Sequence, residues 1–221
     1  MLEAEKSVLF ERIFAIYNRN LLKRKFHSLQ ISGLDVLRKK EANIPLIIYV
    51  NHSNWWDGLV VFQISNALKM DSFIMMEERQ LKKLNIFRKL GAFSVVRENP
   101  FEAVKSINYA VQLLKEKPAR ALWIFPQGEI LNNDIRPITF YKGILKIIEK
   151  VGKCLIVPIA LRYEFLGEYK PEIFINIGET DVFSGNKKCE VKDLERKLTH
   201  LLDELKHNVL NKNFNNFEKI I

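Results

Sequence analysis

His52 and Asp57 stand five positions apart in the segment Asn51-His52-Ser53-Asn54-Trp55-Trp56-Asp57, directly after an uninterrupted apolar run, Leu46-Ile47-Ile48-Tyr49-Val50. Imidazole is the side chain best matched to proton transfer near neutral pH, and a nearby carboxylate can fix its tautomer and stabilise the imidazolium that forms. Five residues exceed the i, i+4 pairing of a helix, so the two side chains face each other only across a turn. Ser53 and Asn54 suit such a turn. The chemistry on offer is proton transfer by an oriented imidazole. Its ordinary alternative is a hydrogen-bonded structural histidine. The preceding run has the composition of an interior parallel strand, and ligands of open α/β sheets bind beyond the carboxyl ends of such strands.

Three further segments follow in order: Gly91-Ala92-Phe93-Ser94-Val95-Val96-Arg97, Phe125-Pro126-Gln127-Gly128-Glu129 and Val157-Pro158-Ile159-Ala160. Together with the histidine segment, these resemble the four ordered blocks of the glycerolipid acyltransferase family over about residues 31–161. The resemblance implies acylation of a lipid hydroxyl, with glycerol 3-phosphate and 1-acylglycerol 3-phosphate as the best-known acceptors. It assigns His52 as general base, Asp57 as its orienting partner, and Asn51, Arg97, Phe125, Pro126, Gln127, Gly128, Glu129 and Pro158 to substrate binding. No cofactor and no metal are implied, only an acyl thioester donor, acyl-coenzyme A or an acyl carrier protein. A thioester is already activated, so a positioned base and oxyanion stabilisation suffice without a covalent intermediate.

The third block departs from the family pattern. Gln127 stands where Glu is usual, and Glu129-Ile130 where Thr-Arg is usual. In the family that arginine, with the one matching Arg97, grips the acceptor phosphate. Losing it removes a bidentate phosphate fork, and a carboxylate at Glu129 repels a phosphate dianion. Arg136 and Lys142 are the candidate replacements. The expected acceptor is therefore a hydroxylated lipid with another head group, such as a glycolipid or an aminoacyl lipid. A lipid-binding module that has lost turnover is the alternative.

With 221 residues, 48% apolar and 28% charged, the chain reads as globular and can bury a sizeable core. A net charge of +9 favours a polyanionic partner: nucleic acid, an anionic membrane or an acidic carrier protein. No nucleic-acid motif accompanies the charge. Cys154 and Cys189 have no partners at metal-ligand spacing. The nucleophile elbow Gly-x-Ser-x-Gly and the phosphate-cradling glycine loops are absent from the sequence. The first residues carry no secretory signal pattern, and no stretch approaches the ~20 apolar residues of a membrane span. The expectation is a peripheral or monotopic protein on the cytoplasmic face of a membrane.

Alternating β-like and helical segments predict an α/β fold, a largely parallel mixed sheet flanked by helices. Two parts are expected: an N-terminal amphipathic helical element over 1–28 and a single acyltransferase domain over 29–221. From Glu3 to Phe26, Phe10, Ile13, Phe14, Tyr17, Leu21 and Leu22 fall at helical spacing among Arg12, Arg19, Lys23, Arg24 and Lys25. Such a helix either lies on an anionic membrane or packs its apolar face on the domain. Some members of the resembled family use this element as a monotopic anchor. Strands are predicted over 29–32, 46–50, 72–76, 93–97, 121–125, 155–161 and 173–177. Helices are predicted over 58–69, 80–90, 100–117, 142–151 and 191–209. Asn99, Pro100 and Glu102 mark one helix start clearly.

The basic segment Arg79 to Lys89 places five cations around Leu81, Leu84, Ile86 and Phe87. It suits an anionic bilayer, an acidic carrier protein or the phosphates of coenzyme A, and equally a solvated helix with its apolar side inward. Trp55 and Trp56 either line a substrate channel or cover an apolar edge. His200 and His207 read as solvated residues of a charged helix.

Overall fold

All five residues of Leu46–Val50 are buried because helices cover both faces of the sheet to which this strand is central. In the computed structural model, which describes residues 1–39, 41, 43–185 and 189–221, the order is α1 (Val8–Lys25), β1 (Leu29–Ser32), α2 (Leu34–Arg38), β2 (Leu46–Val50), α3 (Asp57–Ala67) and β3 (Ser72–Glu77). Then come α4 (Glu78–Lys83), a 3-10 turn (Asn85–Leu90), β4 (Ala92–Val95), α5 (Pro100–Glu116), β5 (Ala121–Ile124) and α6 (Gly143–Val151). The chain closes with β6 (Lys153–Glu164), β7 (Glu172–Ile177), β8 (Asp181–Ser184), α7 (Val191–Leu210) and β9 (Phe217–Lys219).

The sheet order is β4-β3-β5-β2-β6-β7-β1-β9, with β8 also on β6. From β4 to β6 neighbouring strands run parallel; β7 is antiparallel to β6, and β1 runs parallel to β7. The fold is thus the expected mixed, mostly parallel α/β sheet. Side chains alternate across it. Ile47, Tyr49, Leu122 and Ile156 pack with Leu114, Ile148 and Leu198 of α5, α6 and α7. Ile48, Val50, Trp123 and Val157 pack with Leu22, Leu37, Val60 and Ile64 of α1, α2 and α3. Each fully buried aliphatic side chain contributes about 1.5–3 kcal/mol, so the two-sided core explains the period-free apolar strands.

Two helical expectations change in extent. α1 begins at Val8, where the Ser7 hydroxyl caps Phe10 N. Residues before it run along the sheet edge: Ser94 N donates to Leu2 O at 2.8 Å and Leu2 N to Ser94 Oγ at 2.6 Å. The segment 80–90 is not one helix. It divides at Leu84, whose φ −115° and ψ 45° are not helical, and the carbonyls of Arg88 and Lys89 in the 3-10 turn that follows accept from Glu5 N and Ser7 N at 2.9 and 3.0 Å. The short elements α2, β8 and β9 carry no strong sequence periodicity and were not predicted. α1 lies on α3, and its Leu22 and the following Phe26 share the core behind β2.

Candidate active site

β2 stops at Val50, and Asn51 extends the sheet with its side chain. Its Nδ2 donates to Leu161 O and its Oδ1 accepts from Leu161 N, both at 2.8 Å, while Nδ2 also reaches Asn133 Oδ1. The amide thereby takes the place of a backbone ladder pair and frees the main chain to turn. His52 to Trp56 form that turn, and α3 begins at Asp57.

The turn folds the Asp57 carboxylate back over its own start. Oδ2 accepts from Ser53 N at 2.7 Å, Asn54 N at 2.9 Å and His52 Nδ1 at 2.8 Å. Backbone N–H groups can only donate, so Oδ2 is an acceptor, the imidazole donates from Nδ1, and its lone pair lies on Nε2. Asp57 is fully buried, whereas 24% of the His52 side chain is exposed. The ring stacks on Phe125, centroids 4.6 Å apart. A buried orienting carboxylate beside a part-exposed imidazole is the arrangement a general base requires.

The third block braces His52. Gln127 Oε1 accepts from His52 N at 2.8 Å, and Leu131 N donates to His52 O at 2.8 Å. Pro126 is buried and its carbonyl accepts from Tyr141 N. Gly128 sits at φ 74°, where a Cβ would stand 2.7 Å from the Tyr141 ring. Glu129 and Ile130 are exposed. Arg97, two residues beyond β4, donates to Gly128 O, lies over the Tyr141 ring at 5.3 Å and reaches Glu77 at 3.9 Å. Pro158 stands further back, opposite Tyr49 on β6, with its carbonyl accepting from Gly178 N at 2.9 Å.

Of the residues singled out in the sequence, the structure therefore gathers Asn51, His52, Asp57, Phe125, Gln127, Gly128 and Arg97 around one turn. Arg136 is engaged elsewhere, by Asp203 and the carbonyls of Asn133 and Ile135. Trp56 lines an open groove of about 240 Å³ with Phe26, Asn54 and Tyr163, while Trp55 is exposed. Burial pushes the Cys154 thiol up to about 12, which leaves it inert as a nucleophile.

Sequence reasoning missed Tyr163. Its hydroxyl donates to Asp57 Oδ1 at 2.6 Å. Burial, reinforced by Asp57, raises its phenol well above the ordinary value, so it remains a donor. The signal was parity: Val157, Ile159 and Leu161 point to the face of α3, and β6 runs on past Leu161 to Glu164, which brings residue 163 to the same face.

A family model described as Acyltransferase matches residues 28–162. The 1-acyl-sn-glycerol-3-phosphate acyltransferase of Saccharomyces cerevisiae is 27% identical over 136 residues, covering 58% of this chain and 43% of that protein. This chain thus spans under half the length of that relative. The crystal structure of the 1-acyl-sn-glycerophosphate (LPA) acyltransferase PlsC from Thermotoga maritima superposes with a TM-score of 0.65 at 16% identity, over 89% of this chain and 79% of that one, a likeness of fold. With more than half of its residues matched by the family model and the four blocks assembled on the expected sheet, the chain belongs to the acyltransferase family, the glycerolipid acyltransferases.

Proposed function

We propose that this protein transfers an acyl group from an acyl thioester to a hydroxyl of a lipid acceptor at a membrane surface. The observation that carries the reading is the 2.8 Å contact between His52 Nδ1 and the buried Asp57 Oδ2, with the imidazole itself reachable from solvent. His52 Nε2 takes the proton of the acceptor hydroxyl as its oxygen attacks the thioester carbonyl. The tetrahedral intermediate then collapses, the C–S bond breaks, and the imidazolium returns the proton to the departing thiolate. Asp57 keeps the imidazole in the tautomer that can do this and stabilises its charged form.

The acceptor head group is neutral or cationic in this reading, not a phosphate monoester. Arg97 already serves the Gly128 carbonyl, the Tyr141 ring and Glu77. Position 130, where the family keeps a second arginine, presents an exposed isoleucine beside exposed Glu129. A dianion there would meet one engaged cation and one carboxylate.

Support for the membrane surface comes from α1, whose outward side exposes Leu9, Ile13, Ile16 and Tyr17. Among the described residues no helix is long and apolar enough to cross a membrane.

The test is release of free thiol from acyl-coenzyme A and from acyl carrier protein, each with a panel of lysophosphatidate, glycolipid and aminoacyl-lipid acceptors. Thiol release that depends on a hydroxylated acceptor and vanishes in folded His52→Ala supports the reading. Turnover by that variant near the parent rate removes His52 as base. Preferred acylation of 1-acylglycerol 3-phosphate overturns the head-group assignment. Acyl-lipid binding with no transfer across the whole panel identifies a binding module instead.

A further inference from the structure

We infer that Tyr163 is a positioning residue for the proton transfer, its hydroxyl holding Asp57 Oδ1 so that Oδ2 stays aimed at the imidazole. The inference rests on the proton-transfer reading of His52 given above, and it concerns a residue outside the four sequence blocks.

The geometry is asymmetric. The three donors on Oδ2 all come from residues 52–54, one local turn. The donor on Oδ1 comes from β6, 106 positions along the chain. Among the hydrogen bonds of the described residues, Tyr163 is the one side chain from outside the turn that holds this carboxylate. A carboxylate rotates about a soft sp³–sp² torsion, so local donors alone leave it free to tilt as the imidazole gains and loses charge. A second, non-local hydrogen bond on the other oxygen removes that freedom.

The hydroxyl is itself fixed. The Tyr163 ring lies 5.7 Å from Phe26, which meets Trp56 edge-on at 5.2 Å. Phe26 is the buried cap residue of α1. The Phe26 contact holds the ring on its groove wall, and the raised pKa keeps the proton that Oδ1 needs.

The experiment compares the parent protein with Tyr163→Phe, which keeps the ring and deletes the hydroxyl. The expected result is a fall in kcat of about 10- to 100-fold, the size of one lost hydrogen bond to a charged group, with KM for the donor within about twofold. In parallel, the low-field Nδ1 proton resonance of His52, identified by its absence from His52→Ala, is recorded without substrate. It is expected to move upfield or broaden in Tyr163→Phe. A folded Tyr163→Phe protein with the parent's kcat, or with an unmoved Nδ1 resonance, overturns the inference. The resonance needs no turnover, so failure of the parent protein to transfer acyl groups sinks the acyltransfer reading while the spectrum still decides the positioning. Should Tyr163→Phe not fold, Phe26→Leu loosens the same ring with its hydroxyl intact. A smaller change in the same directions supports the inference, and parent values overturn it.

Discussion

The Gln127 side-chain carbonyl accepts the backbone N–H of His52 at 2.8 Å, which ties the third sequence block to the turn after β2 through a part-buried hydrogen bond. The family's usual glutamate could accept the same bond, so the exchange keeps the brace and removes a charge. Gln127→Glu is therefore expected to fold normally and to add a carboxylate beside the imidazole. A neighbouring negative charge favours the imidazolium, so the acid limb of the kcat/KM profile moves to higher pH. Gln127→Leu instead leaves the His52 N–H unsatisfied, at about 1–3 kcal/mol. Matched pH profiles of the parent and both variants check this. An unmoved limb in Gln127→Glu would place the residue too far from the base to tune it.

Asp57→Asn separates orientation from charge. The amide oxygen can retain the Ser53 and Asn54 donors, and the Tyr163 hydroxyl can turn to accept from the amide nitrogen. The turn should survive with a small loss in melting temperature. What disappears is the negative charge that stabilises the imidazolium, and kcat is expected to fall by about 100- to 10,000-fold. Steady-state kinetics beside a thermal melt tests both halves. A variant that keeps its melt and its rate would show that the carboxylate is only structural.

The sheet was legible where one local rule dominates. Leu46–Val50 is an unbroken apolar run ending at turn residues, and the strand observed has those limits. Asn99 accepts from Phe101 N and Glu102 N, as its place before Pro100 predicts. The rest depends on distant partners. The Arg88 and Lys89 carbonyls are taken by the N–H groups of residues 5 and 7, a pairing that no local pattern announces. Tyr163 gains its role only through a contact spanning 106 positions. In α1 the apolar spacing was visible, but which side the core would take was not: Leu22 is buried while Ile13 faces solvent. Arg97 was expected at the end of a strand. It lies beyond one, its guanidinium already engaged by the third block.

Gly128 is the glycine whose replacement should cost most in this site. Its φ of 74° lies in the left-handed region, and an added Cβ would meet Tyr141 and the Arg97 guanidinium. Gly128→Ala combines backbone strain with that clash, and a loss of about 2–3 kcal/mol is expected. Gly185, at φ 80° with open space around its Cβ position, is the control: Gly185→Ala carries only the backbone cost of about 1–2 kcal/mol. Urea unfolding of the two variants should rank them in this order. Equal losses would mean that the Tyr141 and Arg97 side chains simply move aside.

Asp71 links the N-terminal segment to the sheet. Burial would raise its carboxyl, but Lys6 and Lys117, each at 3.0 Å, outweigh it and hold the pKa at about 2 against an ordinary 3.8. A depressed carboxylate favours the folded state only while ionised. Its contribution is therefore complete above about pH 4 and fades as pH falls towards about 2. With the group partly exposed and screened, about 1–2 kcal/mol is the expected size. Asp71→Asn should lose that much stability at pH 7 and approach the parent near pH 2. Denaturation at both pH values checks it, and a loss of equal size at each would exclude an ionic origin.

The outward face of α1 makes the last prediction. Its inner side docks Ala15, Asn18 and Leu22, with Asn18 Nδ2 donating to Leu59 O at 3.1 Å. Leu9, Ile13 and Ile16, at i, i+4 and i+7, lie on the opposite side with exposures of 70%, 58% and 69%. Arg12, Arg19 and Lys23 border them. This second apolar stripe has cations where anionic head groups would lie, with each isoleucine contributing about 1.5–3 kcal/mol on burial and each cation about 1 kcal/mol near the surface. The protein is expected to float with vesicles containing anionic phospholipid and to be released in part by salt. The double variant Ile13→Glu, Ile16→Glu should lose at least about 100-fold in partitioning. Because both positions face solvent, its melting temperature should match the parent's. Flotation of the double variant at the parent's level would show that another surface meets the lipid.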